Sequence, residues 1–303
     1  AAEKTGKAAG LFVPSGTMGN LAAVLAHCGR GDEAVMGNLG HTFLFEGGGI
    51  AALGGVFPHT LPNQPDGSLR LDDIRAAVRP DDVHHPRSRL LILENTHNRC
   101  GGVVLTPEYT RQAADVAHEH GMQVHLDGAR LFNAAVALGR PAKELTAPVD
   151  SVTFCLSKAL SAPVGSVLCG SQAFIAEARR IRKQLGGGMR QAGVLAAAGI
   201  IALEQMVDRL ADDHRRARQL AAGLAAVDGI SLVFGQPQTN MVFIDIAESV
   251  SLTTAEFAAC LKRENILIGL TGSRRFRFVL HCWITDEDVQ RTIETVRRVV
   301  QAG

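Results

Sequence analysis

Short apolar runs alternate with helical stretches through the first two thirds of this 303-residue chain. Four runs, at residues 90–93, 123–126, 151–154 and 166–168, are typical of buried strands. Residues 107–121 lie between the first two runs and predict a helix, with proline near its start and glycine just past its end. Strand, helix and strand in repeated order predicts an α/β fold with a mostly parallel sheet covered by helices.

The last third of the chain has a different order of elements. Residues 191–227 are rich in alanine and predict long helices, with a break near Asp208 and Asp212. Beyond them the pattern predicts four strands and two helices; the strands are 232–234, 241–244, 266–268 and 276–280, and the helices are 253–264 and 285–300. We therefore expect a large domain over residues 1–217 and a small α+β domain over residues 218–303.

Composition narrows the classes of function. With 31 Lys and Arg against 30 Asp and Glu, the net charge of +1 does not favour nucleic acid or an anionic membrane, so we expect a small-molecule substrate. The six cysteines form no Cys-x-x-Cys pair and no metal-ligand spacing, which indicates free thiols in the cytoplasm and no metal site. We see neither a membrane span nor a signal peptide, and a chain that begins at Ala1 is expected to be truncated.

Two polar motifs follow successive predicted strands. Asp127 ends one apolar run and Lys158 follows the next, between apolar neighbours that favour a neutral amine. A carboxylate and a lysine at strand ends suit pyridoxal 5'-phosphate, because one pairs with the pyridine nitrogen and the other forms a Schiff base. If a helix begins at Gly128, Arg130 faces the same pocket and contacts cofactor or substrate; the alternative is an ion pair with Asp127.

Three further segments offer ligand contacts. Gly16 and Thr17 lie in a glycine-rich turn before a predicted helix at 21–27, where a phosphate can bind, although alone the turn fits an ordinary helix cap better. The turn lacks the dinucleotide spacing and the P-loop lysine, so NAD and ATP are weaker expectations. His41 can stack on a planar cofactor, or it can have a purely structural role. His97, with Asn95, can face the substrate or bond within its loop.

The chain resembles the low-specificity threonine aldolases. The resemblance rests on Thr-His-Asn at 96–98, His-Leu-Asp-Gly-Ala-Arg-Leu-Phe-Asn-Ala at 125–134, Ser-Val-Thr-Phe-Cys-Leu-Ser-Lys at 151–158 and Gly-Gly-Gly-Met-Arg-Gln at 186–191. It implies a fold-type-I pyridoxal-phosphate enzyme, a homotetramer built from tight dimers, and cleavage of L-threonine or L-allo-threonine to glycine and acetaldehyde. Other fold-type-I reactions, namely β-elimination or hydroxymethyl transfer, remain open, as does an inactive cofactor-binding fragment.

By this resemblance, Lys158 carries the cofactor, Asp127 holds its pyridine nitrogen and His41 stacks on its ring. Gly16 and Thr17 bind the phosphate. Family members also carry a preceding Arg-Ser-Asp-Thr motif whose serine lines the substrate pocket, and we expect this segment to be missing here.

The resemblance also assigns the substrate side of the site. His97 faces the substrate hydroxyl; the acceptor of the hydroxyl proton is His97, His41 or a water. Arg130 and Arg277 correspond to the arginines that contact the substrate carboxylate and the cofactor. Without the resemblance, Arg277 fits better as a residue on the solvated face of an alternating strand. Lys183 and Arg190 bind the cofactor from a neighbouring subunit.

Overall fold

A computed structural model describes residues 1–302 of the chain. The chain divides into two compact units between Asp208 and Arg209, rather than between residues 217 and 218. The difference arises because the helix Leu210–Ala225 packs as a whole into the second unit, where Leu220 and Leu224 are part of the core.

The first unit contains one seven-stranded mixed sheet. Its strands are β1 Ala9–Val13, β2 Glu33–Gly37, β3 Phe57–Leu61, β4 Ser88–Glu94, β5 Gln123–Asp127, β6 Ser151–Cys155 and β7 Ser166–Gly170. Their order is β1-β7-β6-β5-β4-β2-β3. The pairs from β3 to β6 are parallel, and β7 is antiparallel to both β6 and β1. The predicted mostly parallel sheet is confirmed, and burial of every residue in β6 and β7 agrees with a sheet covered on both faces.

Ten helices of the described chain lie in this unit. They are α1 Ala2–Thr5, α2 Gly16–His27, α3 His41–Leu44, α4 Gly49–Ala52, α5 Leu71–Ala77, α6 Pro107–Glu119, α7 Leu131–Leu138, α8 Ala142–Thr146, α9 Gln172–Gln184 and α10 Gly193–Gln205. Helix α2 begins earlier than the sequence indicated, because the Ser15 hydroxyl accepts a hydrogen bond from the Met18 amide and caps the helix at Gly16.

The second unit has a four-stranded antiparallel sheet in the order β10-β11-β9-β8. Its elements are α11 Leu210–Ala225, β8 Ile230–Leu232, β9 Met241–Ile246, α12 Thr254–Arg263, β10 Gly269–Leu270, β11 Arg275–Val279 and α13 Asp286–Ala302. The predicted strands at 232–234 and 266–268 were misplaced. At the second, Ile266 enters the core while Leu267 stays 78% exposed, so this apolar run links a helix to β10 without joining the sheet.

Two further features concern the cysteines and the helices. All six cysteines are free thiols, as the sequence predicted. Within residues 1–302, no helix combines the length and the apolar character that a bilayer crossing requires.

Candidate active site

The candidate site lies where β4, β5 and β6 end. These strands are parallel and adjacent, so their carboxyl ends share one edge of the sheet, the usual place for ligand contacts in α/β enzymes. Glu94 ends β4 and lies opposite Asp127, which ends β5. Lys158 follows the end of β6 by three residues and is partly buried. The fold thus brings together the two motifs that are 31 residues apart in the sequence.

Asp127 is 2% exposed and is held from two sides. One carboxylate oxygen accepts from the Ala129 amide at 3.1 Å, and the other accepts from the Asn20 side-chain amide at 2.9 Å. The bond to Ala129 closes a turn, so α7 begins at Leu131 instead of Gly128, with Arg130 at its N-cap. The condition that a helix begins at Gly128 is therefore not met, and Arg130 lies at the helix boundary.

The first turn of α2 approaches the end of β6. A Cβ on Gly16 would lie 3.1 Å from the Cys155 sulfur, so glycine permits this close approach. Gly16 and Thr17 open a twelve-residue helix whose first amides have no partner within the helix. Amides and helix dipole together suit an anion, and here they lie next to the strand that leads to Lys158.

His41 is fixed at both its backbone and its ring. Its amide donates to the Glu94 carboxylate at 2.7 Å, and its Nδ1 lies 2.9 Å from a Glu46 oxygen. The hydrogen bond to Glu46 raises the pKa of His41, against burial and the positive charge of Lys158, which lower it. The ring is therefore anchored at one edge, while about a third of the side chain remains exposed and able to cover a planar ligand.

The arrangement includes a compact group of possible metal ligands. His41, Glu46 and Asp127 each present one ligand atom, and these atoms lie within 4.8 Å of one another. The sequence predicted no metal here. The hydrogen bonds of Asn20 and His41 account for the convergence of the two carboxylates.

His97 is the most unusual polar group of the site. It is 1% exposed, and neither of its ring nitrogens has a hydrogen-bond partner among residues 1–302. It lines a cavity together with His41, Glu94 and Asp127. A buried imidazole without a partner carries a free-energy cost that a bound polar group would remove. A polar group bound next to His97 would supply the missing hydrogen-bond partner.

Glu94 was missed by the sequence analysis, which singled out Asn95 and His97 in the same loop. One Glu94 oxygen accepts from the His41 amide and the other from the Asn98 amide at 2.9 Å. Burial, and then the negative charge of Asp127, raise the pKa of Glu94 to about 7. By contrast, the Asn95 side chain bonds to the backbone of Leu105, the local role that the sequence left open.

Three further residues were predicted for the site. Lys183 is exposed in the last turn of α9, and Arg190 is exposed in the segment before α10. Arg277 belongs to β11 of the second unit, where it is paired with Phe243 in the sheet.

Burial of His97 predicts a measurable effect of pH on stability. Burial lowers the pKa of His97 from 6.5 to about 4. Between these values the unfolded chain takes up a proton that the folded protein excludes, so acid favours unfolding and stability falls as the pH decreases through about 6.5. At pH 5 this imidazole should lower the free energy of unfolding by about 2 kcal/mol relative to pH 8.

The His97→Asn variant isolates this effect, because asparagine does not titrate. Urea unfolding of both proteins at pH 8 and pH 5 should show a drop about 2 kcal/mol smaller in the variant. Equal drops would mean that His97 titrates normally in the folded protein.

Comparison with known proteins shows the family of this chain. Residues 1–249 match the beta-eliminating lyase family. The chain is 45% identical over 302 residues to low-specificity L-threonine aldolase 1 of Arabidopsis thaliana, covering 99% of this chain and 84% of the relative. It is 44% identical over 289 residues to the low specificity L-threonine aldolase of Escherichia coli K12, covering 95% and 84%. The solved structure of Leishmania major threonine aldolase superposes with a TM-score of 0.81 at 25% identity, covering 96% of this chain and 84% of that one.

Proposed function

Because the chain belongs to the low-specificity L-threonine aldolase family within the beta-eliminating lyases, we propose that it cleaves L-threonine and L-allo-threonine to glycine and acetaldehyde. It is a carbon–carbon lyase that uses pyridoxal 5'-phosphate. The observation that carries the proposal is identity of 44–45% over nearly the whole chain. The paired strand ends that present Asp127 and Lys158 supply the matching chemistry.

The residues at this edge of the sheet suit each part of the cofactor. The buried Asp127 carboxylate suits a protonated pyridine nitrogen, and the amides of Gly16 and Thr17 suit the phosphate. Lys158 provides the amine for covalent attachment, and His41 covers the ring. When bound, pyridoxal phosphate supplies an electron sink for the pair left on Cα after the Cα–Cβ bond breaks.

The protein's own contribution is charge placement and orientation. Two hydrogen bonds fix the Asp127 carboxylate, and a carboxylate held in this place favours a proton on the pyridine nitrogen. Arg130 and Arg277 are our candidates for contacts to the substrate carboxylate and the cofactor. Fixing the substrate carboxylate determines which bond at Cα stands perpendicular to the cofactor ring.

The substrate hydroxyl must lose its proton as the new carbonyl forms. His97 suits this step, because its lowered pKa leaves it neutral near pH 7 and its nitrogens have no protein partner. His41 is the second candidate, but its Nδ1 is already bonded to Glu46. We therefore assign His97 to receive or relay the hydroxyl proton.

Product analysis separates this reaction from its rivals. Elimination would convert L-threonine to a 2-oxo acid and ammonia, and the match to the beta-eliminating lyases makes that the second candidate. Retro-aldol cleavage releases glycine and acetaldehyde in equal amounts. Hydroxymethyl transfer would instead require a one-carbon carrier, and a binding protein would release neither product.

We also propose that the protein acts as a homotetramer in the cytoplasm. Helix α10 is apolar on all sides, yet Val194, Ile200 and Ile201 are each more than half exposed, which suits a helix covered by another subunit. Lys183 and Arg190 lie exposed just before this helix, where a neighbouring cofactor could reach them. Light scattering tests the proposal against the 32.1 kDa chain mass. The six free thiols support a reducing compartment.

A further inference from the structure

Asn20 lies buried between two carboxylates at the base of the site. It is 2% exposed, and its Nδ2 donates to Glu46 at 2.8 Å and to Asp127 at 2.9 Å. Its Oδ1 lies 3.2 Å from Nε2 of His125. The reverse orientation would point the amide oxygen at two carboxylates, so this orientation is the one that satisfies every polar atom of the amide.

The hydrogen bonds continue away from the site in a fixed direction. Because the Asn20 oxygen can only accept, His125 must donate from Nε2 and accept at Nδ1. Nδ1 lies 2.8 Å from the Ser151 hydroxyl, which lies 2.8 Å from Nε2 of His27. Burial lowers the pKa of His125 to about 3 and that of His27 to about 4, so both rings are neutral and have one donor each. Donation therefore runs from His27 to Asp127.

The Asn20 amide links two groups that the proposed function uses separately. One of its N–H groups holds the Asp127 carboxylate, and the other fixes Glu46, which in turn holds the His41 ring. Because both N–H groups belong to one planar amide, the positions of the two carboxylates are not independent. A change at Asn20 should therefore affect both the pyridine end and the stacking residue.

We propose that Asn20 is a positioning residue for the cofactor, acting through Asp127 and Glu46. Its amide holds the Asp127 carboxylate in place, so that the carboxylate pairs with the pyridine nitrogen of the bound cofactor and this nitrogen holds its proton. The chain from His27 through Ser151 and His125 fixes the amide in the one orientation that allows this. This inference rests on the role of Asp127 in the proposed function.

The direct test is the protonation state of the pyridine nitrogen, read from the ¹⁵N chemical shift of pyridoxal phosphate labelled at that atom. In Asn20→Leu, which is similar in size but has no amide, we expect the shift to move toward the unprotonated value. We also expect cofactor affinity to fall about tenfold, as loss of one hydrogen bond to a charged group would cause. If Asn20→Leu does not fold, the ¹⁵N shift is measured in Asn20→Ala, where we expect the same change.

Two control variants separate the possible failures. Asn240 is a buried asparagine of the second unit whose amide donates to Leu280 at 2.8 Å, and Asn240→Leu should leave the ¹⁵N shift unchanged. Asp127→Asn should move the shift strongly. A normal shift in both Asn20 variants, with a moved shift in Asp127→Asn, would overturn the role of Asn20 alone. A normal shift in Asp127→Asn would overturn the proposed cofactor site itself.

Discussion

Lys158→Ala should lower the rate of threonine cleavage by at least about a thousandfold, because it removes the amine that attaches the cofactor and is displaced by substrate. Lys158 lies just beyond the end of β6, and its charge acts on the pKa of His41, so the amine and the predicted stacking residue are close. The visible absorbance of the bound cofactor should disappear with it. Borohydride reduction followed by mass spectrometry should find the cofactor on Lys158 in the wild type and on no lysine in the variant.

Lys262→Ala is the matched control, since Lys262 is exposed in the last turn of α12. This variant should keep the absorbance and the turnover. A cofactor attached to another lysine in the Lys158→Ala protein, together with sustained turnover, would contradict the assignment.

Asp127→Asn should lower turnover by about 10²- to 10³-fold, the usual effect of removing one group that stabilises charge in a transition state. A neutral amide cannot favour a proton on the pyridine nitrogen. It also leaves one of the donors from Ala129 and Asn20 with a neutral acceptor and the other facing an NH2 group, with no acceptor. The expected kinetic result is a large fall in kcat with covalent attachment at Lys158 preserved.

The control for this prediction is Asp115→Asn on the exposed face of α6. Thermal unfolding of all three proteins tells whether lost activity reflects lost structure. Wild-type turnover in a folded Asp127→Asn variant would show that the carboxylate is not needed for charge stabilisation.

Much of the fold could be predicted from the sequence because its strands are buried and apolar. The runs that became β4 to β7 are mostly apolar, and clear helix signals such as Pro107 and Gly121 lie between them. The strands of the second unit were harder, because an apolar run such as 266–268 can also enter a core without pairing. Likewise, the boundary between the two units depends on which hydrophobic core α11 packs into, and no local sequence pattern indicates that.

The candidate site, like the fold, could be predicted only in part from the sequence. The placement of Asp127 and Lys158 at the ends of neighbouring strands was predictable, because strand ends in a parallel sheet meet at one edge. Asn20, Glu46 and Glu94 were not, since their roles depend on contacts such as the one joining Asn20 to Asp127, 107 residues apart. Asn20 does lie in the glycine-rich turn that the sequence singled out. An asparagine directly before the apolar run at residues 21–25 was the signal available before the structure.

The most direct measurement is an NMR time course of L-threonine with the purified protein loaded with pyridoxal phosphate, with Lys158→Ala run in parallel. We expect glycine and acetaldehyde to appear in equal amounts with the wild type and neither with the variant. A 2-oxo acid with ammonia, or unchanged threonine despite bound cofactor, would contradict retro-aldol cleavage at this site.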